Sequence, residues 1–194
     1  MISIENNPHD LQEQLVVSPV VLEEALSNEE VEKILDATSK IEIHEATVDG
    51  VINKEIRSCK AGWLPYNDET AWIYGRLYDL VEYTNEKCFF FEPIDMVEPI
   101  MYCEYEEGDQ YDWHVDIASP PPFSARKLAI TVQLSKSDDY RGGTLLFNTG
   151  GTYTVPRSLG TIIIYPGYLL HKIEPLRLGK RKSLVFWVGG NNFR

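Results

Sequence analysis

The chain has little cysteine, and what it has is badly placed for a staple. Cys59, Cys88 and Cys103 are odd in number and widely spaced, and none forms a CxxC pair. That pattern suggests neither a zinc site nor a disulfide framework, so a reducing cytoplasm is the expected setting. Long hydrophobic runs are missing too, and no apolar stretch reaches transmembrane length. The start, Met1 to Asn7, lacks the basic region and apolar core of a signal peptide. Basic residues are scarce: 18 Lys and Arg stand against 30 Asp and Glu, for a net charge of −12. Such a surface repels phosphate backbones, so neither a nucleic-acid nor a membrane partner is expected. One basic cluster is visible, running from Arg177 to Lys182. Internal repeats and low-complexity tracts are absent.

What is present is the composition of a globular domain, 43% hydrophobic and 25% charged over 194 residues. Residues 1–20 read as an extended arm containing Pro8 and Pro19, with an early strand at Pro19–Leu22. Residues 21–99 form a support region. Ser27-Asn28-Glu29-Glu30 has the form of a capping box, and Val31, Ile34 and Leu35 recur at helical spacing behind it, which predicts a helix over 28–38. Thr47–Ile52 predicts a hairpin turning on Asp49-Gly50. Arg57–Leu64 predicts one strand, and 69–88 a long helix whose stripe includes Trp72, Ile73, Leu77, Leu80, Val81 and Thr84. Residues 100–190 are strand-dense, with turn signals at short intervals. They predict a double-sheet β core with the helices packed outside.

Within that core lies Gln110-Tyr111-Asp112-Trp113-His114-Val115-Asp116. If it is a strand, His114 and Asp116 point to one face and offer a metal a nitrogen and an oxygen. With the distant His171 they give two imidazoles and a carboxylate, the donor set of a facial triad that leaves coordination positions open for non-haem Fe(II) chemistry. His114 alone means little, since a lone histidine in a strand is more often structural. Arg181, ten residues after His171, is a bidentate cation on an apolar strand. It is either a surface residue of the basic turn or a partner for a carboxylate.

These residues fall in a longer pattern. It runs Tyr105-x-x-Gly108-x-x-Tyr111-x-x-His114-x-Asp116, then Tyr140-x-Gly142-Gly143-x-Leu145, then Tyr165-Pro166 and His171-x-x-x-Pro175-x-x-x-Gly179-x-Arg181. In this order and spacing the chain resembles the 2-oxoglutarate- and Fe(II)-dependent dioxygenases, in their prolyl 4-hydroxylase-like branch. The resemblance implies a mainly β fold with flanking helices, a double-stranded β-helix or jelly roll of cupin-like form. It implies that His114, Asp116 and His171 bind Fe(II), that Arg181 pairs with the distal carboxylate of 2-oxoglutarate, and that Tyr105 and Gln133 line the cosubstrate pocket. O2 is the second cosubstrate, and ascorbate is carried over as an accessory reductant. Animal collagen hydroxylases carry Lys where this chain has Arg181; the arginine resembles the bacterial and oxygen-sensing members. Related halogenases lack the carboxylate that Asp116 supplies, so hydroxylation is the implied outcome, with succinate and CO2 as co-products.

The substrate is less legible. Trp63, Tyr111, Trp113 and the Ala118–Phe123 loop are candidate cleft walls, although Trp63 and Trp113 serve equally as core residues. By resemblance the expected substrate is peptidyl proline, in a protein or peptide, and the expected source is bacterial or viral. Two alternatives stay open: hydroxylation of a free amino acid or other small metabolite, and a non-catalytic β-sandwich binding module.

Overall fold

The computed structural model describes residues 18–48, 50–92 and 94–191. The arm expected over 1–20 therefore lies almost wholly outside the described residues. Its end, β1 (Val20–Leu22), does form a strand, antiparallel to β12 (Ile162–Pro166). Helix α1 (Asn28–Ser39) starts at the expected box. Ser27 Oγ accepts from the Glu30 amide at 3.2 Å, and Glu30 Oε2 accepts from the Ser27 amide at 2.7 Å.

The core consists of two facing antiparallel sheets with helices on the outside of one. The major sheet runs β1, β12, β8 (Arg126–Gln133), β15 (Arg181–Gly189), β6 (Met101–Tyr105), β4 (Lys60–Trp63) and β2 (His44–Glu45), with β5 (Asp95–Met96) beside β15. The minor sheet runs β11 (Thr152–Thr154), β10 (Leu145–Asn148), β13 (Leu170–Ile173), β7 (Gln110–His114) and β3 (Arg57–Ser58). A short pair, β9 (Tyr140–Gly142) and β14 (Leu176–Gly179), closes one end. This is the double-stranded β-helix expected from the sequence.

Strand alternation builds two cores from the same strands. Tyr102, Ile130, Val132, Ile162, Ile164, Leu184 and Phe186 face α1 and α2 (Ala71–Thr84), where they meet Val31, Ile34, Ile73, Leu77 and Val81. The alternate residues Met101, Cys103, Tyr105, Ala129, Ile163, Tyr165 and Trp187 face the minor sheet and meet Leu145, Phe147 and Ile173. With both faces covered, β8 is buried along its whole length.

Four expectations need correction. The segment 57–64 is not one strand. It is two, in different sheets: β3 pairs with β7, the chain crosses at the buried Cys59, and β4 pairs with β6. The expected long helix is α-helical only to Thr84 and continues as a π-helical turn, Asn85–Phe89, ended by Phe90 at φ +58°. Trp72 is not on its buried stripe; it is 37% exposed, because the face that packs on the sheet is carried by Ile73, Tyr74, Leu77 and Val81. The hairpin near Gly50 is reduced to one bridge between Val48 and Val51, and its Asp49 lies outside the described residues.

Gly179 ends β14 two residues before Arg181, at φ +81°. A Cβ there would collide with the Asp139 carbonyl. Gly179→Ala is expected to cost about 1–3 kcal/mol, from the left-handed conformation alone and before any collision. Urea denaturation measures the loss, and stability equal to that of the parent would show that the turn adapts.

Candidate metal centre

Two strands of the minor sheet create the centre. In the pairing of β13 with β7, His171 stands directly opposite His114, so their rings lie side by side with centroids 4.1 Å apart. Asp116 lies beyond the end of β7, so simple strand alternation does not place it. Its amide instead donates to the Gly167 carbonyl at 2.8 Å, which ties it to the turn before His171. One ligand atom from each of His114, Asp116 and His171 falls within 4.8 Å of the others.

The protonation pattern suits a cation. His114 Nδ1 lies 2.7 Å from the Asp112 carbonyl and His171 Nδ1 lies 2.9 Å from that of Leu169. A carbonyl only accepts, so both Nδ1 atoms carry a proton, which in the neutral ring leaves Nε2 as the nitrogen with a lone pair. Burial, reinforced by the neighbouring His171, lowers the pKa of His114 to about 3, which keeps the ring neutral. Asp116 is buried, and its Oδ2 has no hydrogen-bond partner among the described residues. A buried carboxylate oxygen left without a donor is costly, and a cation would satisfy it. The donor set, two imidazole nitrogens and one carboxylate, fits a divalent transition metal with positions to spare. Tyr165 Oη lies 3.2 Å from His171 Nε2 and also faces the Asp116 carboxylate.

The facing wall comes from β15, whose alternate residues Arg181, Ser183, Val185 and Trp187 all line one cleft of about 1240 Å³ that also contains the triad. Arg181 is 1% exposed and stands opposite Tyr105 in the β15–β6 register, its guanidinium 5.5 Å from the Tyr105 ring. It donates to Ser183 Oγ at 3.2 Å and to Gln133 Oε1 at 3.1 Å. Its Nε and the Gln133 Nε2 have no partner, and it forms no ion pair among the described residues. A buried guanidinium without an anion, beside two idle donors, fits a ligand carboxylate. The basic cluster seen in the sequence thus divides: Lys180 is a surface residue bridging Glu104 and Glu106, whereas Arg181 faces inward.

Of the residues singled out for the substrate, Trp63 and Tyr111 line the cleft, and the Tyr111 ring stacks on His114 at 3.5 Å. Trp113 does not. Being next to His114 in a strand, it points to the opposite face, where its ring meets Lys172 at 5.0 Å. Sequence reasoning missed Ser183 and Trp187, although the period-2 spacing from Arg181 could have found them. It also missed Arg57. This buried guanidinium donates to Cys59 Sγ at 3.3 Å and to Cys103 Sγ at 3.6 Å, and stands 4.8 Å over the Tyr111 ring. The Cys103 hydrogen bond, with Arg57 adding to it, lowers the Cys59 thiol to about 6. Nothing local marks that cluster, because it forms only where the chain changes sheets.

Comparison with known proteins bears on this centre. Residues 100–189 match the model of the 2OG-Fe(II) oxygenase superfamily. A PKHD-type hydroxylase of Bordetella pertussis is 38% identical over 96 residues, which are 46% of this chain and 42% of that protein. The match thus spans under half the length of that relative. The crystal structure of a Pseudomonas putida prolyl-4-hydroxylase superposes with a TM-score of 0.72 at 16% identity, covering 94% of this chain and 98% of that one. A Trichoplax adhaerens prolyl hydroxylase, in complex with a hypoxia inducible factor peptide fragment, gives 0.74 at 15% identity, covering 95% and 94%. At these identities the structural likeness is one of fold.

Because Asp116 Oδ2 is buried without a hydrogen-bond donor and has the His171 ring nitrogen nearby at 3.5 Å, Asp116→Asn is expected to leave the metal-free protein as stable as the parent, or more stable by about 1 kcal/mol. It should also weaken divalent-metal binding at least tenfold, roughly the scale set by lesser changes around metal ligands. Denaturation in chelator and a metal titration separate the two effects. Full metal affinity in the variant would remove Asp116 from the ligand set.

Proposed function

We propose that this chain, whose residues 100–189 resemble the 2OG-Fe(II) oxygenase superfamily, is an Fe(II)- and 2-oxoglutarate-dependent hydroxylase of peptidyl proline. The observation that carries the reading is the convergence on one cleft of two Nε2 lone pairs, an unpaired carboxylate and, from the facing sheet, an unpaired buried guanidinium. The family uses Fe(II), 2-oxoglutarate and O2, which together supply the oxidant for an unactivated C–H bond and leave succinate and CO2.

The residues have distinct tasks in this proposal. His114 and His171 hold Fe(II) through Nε2 and Asp116 through its carboxylate, and the two Nδ1–carbonyl bonds fix the ring orientations. Arg181 pairs with the distal carboxylate of 2-oxoglutarate. Gln133 orients the guanidinium through Oε1 and offers Nε2 to the same ligand, and Tyr105 donates its hydroxyl from the neighbouring strand. All three are buried, so water is kept from the cosubstrate and the charge pair is not screened. Ascorbate as accessory reductant and a cytoplasmic setting belong to the same proposal. The structure adds that no helix among the described residues is long and apolar enough to cross a membrane.

The size and walls of the cleft favour a chain-like substrate. Its volume exceeds the roughly 300–1,000 Å³ usual for a small-ligand pocket. Trp63, half-exposed, and Phe123 present aromatic surface at the cleft, which suits a proline ring. The peptide complex of the Trichoplax hydroxylase supports the same reading from a protein of like fold.

The test is succinate release after anaerobic loading with Fe(II) and exposure to O2, with and without a library of proline peptides. Peptide-stimulated turnover, with a product heavier by one oxygen atom, is the expected result. Stimulation by free amino acids alone would transfer the substrate to the small-metabolite class. In the same assay, Arg181→Gln should raise the 2-oxoglutarate KM about 10- to 100-fold, the loss expected for a charge-assisted hydrogen bond. An unchanged KM would show that Arg181 does not hold the cosubstrate.

A further inference from the structure

Asp116 is the one triad member outside a strand, and its side chain has no hydrogen bond at Oδ2 that would orient it. Its backbone, by contrast, is held at both polar groups. The amide is held by the Gly167 carbonyl. The carbonyl is held by Arg126, the first residue of β8, whose Nη1 donates to Asp116 O at 3.0 Å.

Arg126 is itself tightly confined. Its Nε donates to Glu98 Oε2 at 2.6 Å and its Nη2 to Glu98 Oε1 at 2.7 Å, a bidentate pair. The two side chains are only 10% and 11% exposed. The guanidinium lies 3.6 Å over the Trp187 ring and 4.7 Å from that of Phe123, which belongs to the proline-rich loop leaving Asp116. One group thus ties together the segment before β6, the end of β15, the loop and the backbone of the carboxylate ligand. Lysine could not do this, because a point charge lacks the planar fork.

The ion pair also has an electrostatic consequence. A lone buried guanidinium this close to the centre would repel a divalent metal. Glu98 cancels that charge while leaving the Nη1 donor in place.

We infer that Glu98 and Arg126 act together as positioning residues for Asp116, holding its carboxylate toward the metal without touching metal or cosubstrate. The inference rests on reading His114, Asp116 and His171 as the metal ligands. It assigns the donors of Arg126 to the architecture of the centre and not to the substrate.

The test is a Co²⁺ titration, followed by its visible absorption, of the parent, Glu98→Gln, Arg126→Gln and the double variant, each checked for native circular dichroism. Each single variant should bind Co²⁺ about tenfold more weakly, with an altered spectrum, in keeping with other residues that orient metal ligands. The double variant should be no weaker than the poorer single one, because the two act as a unit. The 2-oxoglutarate affinity at saturating metal should stay within about threefold of the parent's, since Arg181 is untouched. Unchanged Co²⁺ affinity and spectrum in both singles, or losses that simply add, would overturn the pairing. A parent protein that binds no Co²⁺ would overturn the metal reading itself, so the two failures are distinguishable. A reading that needs no variant is the Arg126 Nε–H resonance of the native protein, expected to shift on Zn²⁺ addition. A resonance indifferent to Zn²⁺ would also overturn the inference.

Discussion

The pairing of β7 with β13 is the constraint on which the centre depends. It brings residues 57 positions apart in the chain into cross-strand contact and sets His171 against His114. A slip of one residue would turn one of the imidazoles to the outer face of the sheet, where Trp113 and Lys172 lie. The register is held by what flanks it. Phe147 stands opposite His171 on β10, Ile173 reaches Tyr111 on β7, and these side chains fill the space between the sheets. The facing sheet answers with Arg181 opposite Tyr105, so the triad and this buried guanidinium come from opposite walls of one cleft.

This arrangement leaves polar groups idle in a dry interior. Asp116 Oδ2 and Arg181 Nε, on residues that line the cleft, are buried without hydrogen-bond partners, and so is Gln133 Nε2 beside Arg181. Each costs stability while it is unpaired. The expense is borne by the other face of the major sheet, where β8, β12 and β15 pack continuous aliphatic and aromatic surface against two helices. The helices thus supply no chemistry and much of the stability. They allow the opposite face of the same strands to carry charges that a two-layer sandwich of this size would find hard to bury.

Much of this was legible because strands and caps are written locally. The capping box at Ser27 and the strand-dense second half appear in the structure where the sequence places them, and His114, Asp116 and His171 come together, although Asp116 lies past the end of β7 and not on it. The misses share a cause. Residue type alone makes Trp113 a candidate cleft wall, whereas strand alternation turns it away from His114. The segment from Arg57 was read as one strand because it has the composition of one. Its change of sheet at Cys59 is decided by two different partners, β7 and β6, far along the chain.

Residue types, periodicity and spacing by themselves determined the class of fold and the donor atoms available to a metal, and they left Arg181 open between the surface and the interior. Those properties reside in side chains and in a repeat of two along each strand, and both can be read one residue at a time. Only the tertiary structure decided which donors are idle, that Arg181 is buried while Lys180 is in solvent, and that Glu98 and Arg126 lie behind Asp116. Those facts depend on burial and on contacts between distant segments. Hydrogen bonding and desolvation act on distances in space, and sequence separation carries no record of them.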